Sequence, residues 1–297
     1  MRSDVEFRSS GLMLRGWFYE PVGASEPAPA IVMSHGFSAV KEQGLAGFAE
    51  RFAAAGFAVL VFDHRCLGAS EGDERGRIVA QEQHDDTRSA LHWICSRPSV
   101  DPARIGLWGS SYSGGHAIVV GALDPRVKVV VAQAPALDVA ASLLAMAGAE
   151  GFAGYLGLLA QDHAMRSSGG TGGQIPVVAP EGEAAVLATP DSYAWFTASA
   201  AQAPRWQNLT SLESVARMVE YKPIAFVDLV APKPLLLIGA VNDSLIPIAQ
   251  VREAFARAGE PKKLIELDGG HFDVYPGAMH HEAALSAATH WFATHLA

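Results

Sequence analysis

The chain has 297 residues, 49% hydrophobic and 18% charged, which is ample apolar material for one large domain and too much for a disordered chain. Its 22 Lys and Arg face 31 Asp and Glu, a net charge of −9, and no basic run offers a local exception, so nucleic acid is not expected as a partner. Cys66 and Cys95 make neither a disulfide framework nor a metal-ligand spacing, and Arg2, Asp4, Glu6 and Arg8 stand where a signal peptide would need an apolar core, so a reducing, cytoplasmic setting is expected.

Two alternating segments, 5–8 and 12–19, flank Ser9-Ser10-Gly11 and predict an antiparallel hairpin at a sheet edge. Short apolar runs follow at 30–33, 58–62, 105–108, 127–132, 234–239 and 264–267. Each is bounded by Pro, Gly or charge and is too short for a helix, so they predict buried parallel strands. Apolar residues at three- and four-residue spacing in 44–55, 82–96, 248–258 and 281–295 predict the helices that cover them. The sum is an α/β chain with a mostly parallel sheet flanked by helices.

The alternation fails between 138 and 231. Helical stretches there are joined by Ser167-Ser168-Gly169-Gly170-Thr171-Gly172-Gly173, which has the composition of a flexible loop, and by an aromatic stretch with Tyr193, Trp195, Phe196 and Trp206. This predicts a mainly helical cap, 138–231, inserted into a core of 1–137 and 232–297. Residues 139–161 come nearest to a membrane span, but Ala and Gly dilute the strong hydrophobes and Glu150-Gly151 interrupts them, so no membrane partner is expected.

The chemistry gathers where strands end. The run 105–108 leads into Gly109-Ser110-Ser111-Tyr112-Ser113-Gly114-Gly115, ahead of a helix-compatible segment. A serine on a tight strand-to-helix turn, with small residues two positions to either side, is the arrangement of a nucleophile held clear of the backbone. Ser111 fits, with Gly109 before it and Ser113 after. Ser113 satisfies a looser version but lies about one helical turn beyond the strand end, so Ser111 is preferred. A hydroxyl needs a base, and the base needs an orienting acid. Asp243 follows the strand at 234–239 and His271 follows the one at 264–267, with Asp228 and Asp273 as the next acids in line. The turn Ser34-His35-Gly36-Phe37 after the first buried run adds backbone donors. The N–H groups of Phe37 and Tyr112 are assigned as an oxyanion hole, and His35 as a residue that shapes the turn.

Taken together, these pieces resemble an α/β-hydrolase: the His-Gly-Phe turn, Asp63-His64-Arg65-Cys66-Leu67-Gly68-Ala69-Ser70, the serine elbow, the Asp243 loop and Gly270-His271 fall in that family's order. Within it, the elbow with Tyr112 after the serine is similar to dienelactone-hydrolase-like and X-Pro-peptidase or cocaine-esterase-like branches, and 221–243 to polyketide transferases and thiohydrolases. The resemblance implies an α/β-hydrolase fold and a Ser111-His271-Asp243 triad. The expected reaction is cleavage of a carboxylic ester or thioester through an acyl-enzyme, of carboxylesterase or thioesterase type. Acyl transfer with the same triad and a non-catalytic ligand-binding scaffold are the alternatives. Two departures stand out: Phe37 has no hydroxyl to add to the oxyanion hole, and Ser113 replaces the usual Gly. Peptidase chemistry lacks an amine-recognising carboxylate pair, and epoxide hydrolase or dehalogenase chemistry would need Asp in place of Ser111. The expected partner is a small-molecule ester or thioester, with no metal or cofactor and with homo-oligomerisation left open. The cap is expected to be an apolar lid, with Trp195, Phe196 and Trp206 as pocket residues.

Overall fold

The computed structural model describes residues 1–21 and 27–296. An antiparallel pair, β1 (Arg2–Ser9) and β2 (Leu12–Tyr19), opens the chain, followed by β3 (Ala28–Ser34), α1 (Ala46–Ala54), β4 (Ala58–Phe62), α2 (Ala80–Cys95), β5 (Val100–Ser110), α3 (Tyr112–Leu123) and β6 (Val127–Gln133). After a long excursion come β9 (Leu235–Ala240), α7 (Ile248–Arg257), β10 (Lys262–Leu267) and α8 (His281–His295). The excursion carries α4 (Val139–Ser167), β7 (Gln174–Ile175), α5 (Pro190–Ala200), β8 (Thr210–Ser211), α6 (Leu212–Val219) and a 3-10 helix at Pro223–Leu229.

The eight-stranded sheet has the order β1-β2-β4-β3-β5-β6-β9-β10, parallel from β4 onward. Apolar runs without polar alternation form its interior because both faces are covered. In β4, Leu60 and Phe62 join the core on one face, beneath α2 and α3, while Val59 and Val61 join the other, beneath α1 and α8. β5 is longer than the run 105–108. Pairing resumes at Val100↔Ala28 beyond an irregularity, and the intervening Asp101, Pro102, Ala103 and Arg104 hide that continuation from a hydrophobic pattern.

The chain winds outward from β3 in one direction and from β5 in the other, so a crevice opens between their C-terminal ends, where parallel sheets place ligands. Residues 138–231 run between β6 and β9, which pair directly. Their apolar side chains, among them Leu143, Val177, Phe196 and Val215, belong to the same core cluster as Ala136 and Leu137 at the sheet's edge.

Two features of this segment differ from the sequence reading. Glu150 and Gly151 are helical, and the break in α4 falls instead at Gly148, with φ 69° and ψ 175°, a backbone region that glycine reaches without a Cβ clash. Among the described residues α4 is the one helix long and apolar enough to cross a membrane by length and composition. The glycine run is no free tether: the Gly173 N–H donates to Asp162 Oδ1 at 2.6 Å and the Gly170 N–H to the Met165 carbonyl at 3.0 Å, folding it back on the end of α4.

Candidate active site

Ser111 sits between β5 and α3 with φ 56° and ψ −120°. A non-glycine residue held there costs roughly 1–3 kcal/mol and persists only where its surroundings fix it. Three backbone bonds do so: Ser111 N–H to the Gln133 carbonyl at 2.8 Å, and the N–H groups of Gly114 and Ala136 to the Ser111 carbonyl, both at 2.9 Å. The flanking residues must be small. A Cβ on Gly109 would lie 1.9 Å from the Ser113 carbonyl oxygen, and one on Gly36 would lie 3.0 Å from Ser111 Cβ. The hydroxyl of Ser113, the departure from glycine, donates to the His35 carbonyl and ties the elbow to the turn after β3.

Ser111, Asp243 and His271, predicted from separate strand ends, meet in space. His271 Nδ1 lies 2.7 Å from Asp243 Oδ2, and its Nε2 lies 3.1 Å from Ser111 Oγ. A carboxylate only accepts, so Nδ1 carries the proton and Nε2 is left free to accept from the serine hydroxyl. Asp243 is itself fixed: its Oδ1 accepts the N–H groups of Leu245 and Ile246, both at 2.8 Å, and its side chain is only 2% exposed. The other two acids are engaged elsewhere. Asp228 pairs with Arg257 at the surface, and Asp273 accepts the Gly270 N–H, shaping the loop that presents His271.

Phe37 and Tyr112 face each other across Ser111, their rings edge to face at 5.6 Å. Tyr112 is the first residue of α3, so its N–H precedes the helix's own acceptors, and among the described residues the Phe37 N–H meets no protein acceptor. His35 shapes the turn: its Nδ1 lies 3.0 Å from the Gly36 carbonyl, which leaves Nε2 to accept the His64 N–H at 3.4 Å.

Under Tyr112 lies a buried polar chain that the sequence did not signal. His116 Nε2 donates to Gln83 Oε1 at 2.9 Å, so Nδ1 must accept, and it takes the Tyr221 hydroxyl proton at 2.7 Å; His84 Nε2 lies 3.2 Å from the same hydroxyl. The arrangement requires neutral rings. Burial supplies them, pushing His84 down to about 3, His35 to about 4 and His116 well below the ordinary histidine value.

Two cavities flank Ser111. One, of about 410 Å³, has Gln43, Trp195, Phe196, His271, Phe272 and Tyr275 in its wall. The other, of about 510 Å³, is walled by Tyr112, Val139, Leu143, Met146, Met218 and Ile246. Phe37, Ser111, Leu187 and Leu245 line both and form the neck between them. Of the aromatic residues predicted for the pocket, Trp195 and Phe196 reach it. Trp206 does not: it stacks behind Phe196, ring centroids 5.3 Å apart, because Phe196 occupies the position between it and the cleft. Leu187 and Leu245 went unnoticed in the sequence because each stands in an irregular segment without periodicity. No cluster of His, Cys, Asp and Glu among the described residues could hold a metal ion.

The family model described as X-Pro dipeptidyl-peptidase (S15 family) matches residues 11–273. The quorum-quenching protein AidA of Acinetobacter baumannii is 30% identical over 274 residues, covering 92% of this chain and 89% of its own. Thiohydrolase aneE of Aspergillus aculeatus is 28% identical over 301 residues, covering 96% and 88%. The crystal structure of the α/β-hydrolase GrgF from Penicillium superposes with a TM-score of 0.83 at 27% identity, covering 100% of this chain and 99% of that one.

Proposed function

Because the chain belongs to the X-Pro dipeptidyl-peptidase (S15) family and has the α/β-hydrolase fold, we propose that it is a serine hydrolase cleaving a carboxylic ester or thioester through an acyl-enzyme on Ser111. The observation that carries this reading is the continuous contact from Asp243 through His271 to Ser111, with the imidazole proton on the Asp243 side. His271 takes the serine proton as Oγ attacks the carbonyl and returns it to the leaving oxygen or sulfur; water then repeats the sequence and releases the acid. The Phe37 and Tyr112 N–H groups receive the oxyanion, where one such donor is worth about 3–4 kcal/mol.

Amide cleavage, which the family description suggests, has less support. Neither cavity beside Ser111 is lined by a carboxylate to hold a free α-amino group. Acyl transfer is the second reading, favoured by the apolar walls around the serine, which disfavour water against an organic acceptor. Product analysis with and without added alcohol, thiol or amine separates the two. The triad itself is tested by an activated fluorophosphonate, expected to label Ser111 and to fail on Ser111→Ala; labelling of Ser113 in the wild type would overturn the assignment. Asp243→Asn should keep the fold and lose most activity, because the wrong histidine tautomer becomes favoured.

A further inference from the structure

We infer that the two cavities divide the substrate at its scissile bond. The acyl chain lies in the cavity under α4, and the alcohol or thiol half lies in the aromatic cavity beside His271. This rests on the triad reading above.

The division follows from where the proton goes. When Ser111 Oγ bonds to the carbonyl carbon, the C–O or C–S bond to the leaving group breaks, and the serine proton, held on His271 Nε2, must move to the departing atom. That atom has to lie within hydrogen-bond reach of Nε2. His271 lines the first cavity and not the second, so the leaving half occupies the first. Tyr112, whose N–H receives the oxyanion, lines only the second, and the acyl substituent continues past it. In the return step the incoming water or alcohol gives its proton to the same Nε2, so it enters from the aromatic side. His271 then returns that proton to Ser111 as the Oγ–carbon bond breaks.

The walls give each half a chemical class. The acyl side is aliphatic beyond Ser111 and Tyr112, built by Val139, Leu143 and Met146 of α4 with Met218 and Ile246, with Ser142 as the further polar side chain and no charged one. It suits a saturated, uncharged chain, each buried methylene of which contributes up to ~0.8 kcal/mol. The leaving side is walled by flat rings: Trp195 stacks on Phe272 with centroids 5.1 Å apart and packs against Tyr275 at 4.9 Å. It suits a planar, ring-bearing alcohol or thiol. At the neck, Leu187 is held by its N–H to the Val177 carbonyl at 2.9 Å, and it keeps either half from sliding into the other's place.

The test is a two-way panel of esters, acyl chains of two to ten carbons crossed with phenyl and ethyl leaving groups, measured as kcat/KM on the wild type, Met146→Trp and Trp195→Ala. Fluorophosphonate labelling of Ser111 and the melting temperature are recorded for each protein. Met146→Trp should move the acyl optimum to shorter chains by two or more carbons and leave the phenyl-to-ethyl ratio unchanged. Trp195→Ala should lower that ratio about tenfold and leave the acyl optimum in place. In addition, Trp195→Ala, and not Met146→Trp, should change how one common acyl-enzyme partitions between water and an aromatic alcohol. The reverse pattern, a wild type with no acyl or leaving-group preference, or variants that each shift both axes would overturn the division. Absence of Ser111 labelling would instead break the triad reading beneath it. Should Met146→Trp fail to fold, Val139→Leu fills the same cavity with less volume and is read in the same way.

Discussion

The helices α3 and α4 are both apolar on all sides, and the structure treats them in opposite ways. α3 is buried along nearly its whole length, with Ile118 and Val120 fully enclosed, between the sheet, α2 and the 3-10 helix. α4 is more than twice as long, yet buries only Val139, Leu143, Leu159 and Asp162, and leaves Leu144, Leu156 and Leu158 exposed. A helix that is apolar all round is normally a core helix. α3 obeys the rule because it must bring the serine elbow down onto the sheet. α4 breaks it because it packs along one edge only: its first two turns wall the second cavity beside Ser111, and its later turns lie against α6. Hydropathy alone cannot separate a helix that holds the scaffold from one that borders a cleft.

That contrast can be broken at several points. The largest effect is expected at the first turn of α3: Ser111→Ala should lower turnover by ~10⁴-fold or more with the melting temperature held, since the hydroxyl supports chemistry and not packing. Gly109→Ala should do the reverse damage, losing the fold by more than about 4 kcal/mol, because the new methyl would overlap the Ser113 carbonyl. A urea titration reads it; a mild loss would mean the elbow can relax.

The neutral histidines beneath α3 predict an acid-side weakness. Their folded values lie below the ordinary 6.5, His35 at about 4 and His84 at about 3. Above pH 6.5 neither state binds the protons and full stability is present. As pH falls below 6.5 the unfolded chain takes up protons that the folded rings refuse, so stability declines until the folded rings themselves protonate. The urea midpoint should drop steadily from pH 7 to pH 5, and His84→Gln should flatten that slope. A midpoint independent of pH would remove the network from the stability of α3. Ile118→Ala should cost about 2–5 kcal/mol, whereas Leu156→Ala should stay within about 0.5 kcal/mol. Equal losses would show that α4 is covered in solution. Smallest of all, Gly154→Ala, with nothing within 4 Å of the added methyl, should raise stability by about 0.5–1 kcal/mol.

The sheet was legible because every interior strand carries the same instruction, a short apolar run between breakers, and three of the six runs match the observed strands to within one residue at either end. Ser111, Asp243 and His271 were legible because each follows such a strand. What escaped lies where no period operates. Leu187 and Leu245 are single apolar residues in irregular segments, and only the folding of 176–187 back on itself brings Leu187 to the serine. Composition also could not say which aromatic residue faces the cleft: Trp206 and Trp195 look alike in sequence, and Phe196 stands in front of only one of them.

The direct pairing of β6 with β9 has a consequence for how the molecule assembles. Val130 aligns with Leu235 and Gln133 with Ile238, so the sheet closes across roughly a hundred intervening residues, an entropic toll of about 4 kcal/mol for an unstructured loop of that length. During synthesis β6 is complete long before β9 leaves the ribosome. Until then Val127, Val129, Val130, Val131 and Ala132 present a bare edge of hydrogen-bonding backbone and aliphatic side chains, the template on which chains stick to one another. Helices forming early in 138–231 shorten the effective distance and bring β9 home sooner. Refolding yield should therefore fall steeply with protein concentration, and it should fall further in variants that weaken those helices than in variants that weaken α8, whose arrival comes after the gap is shut.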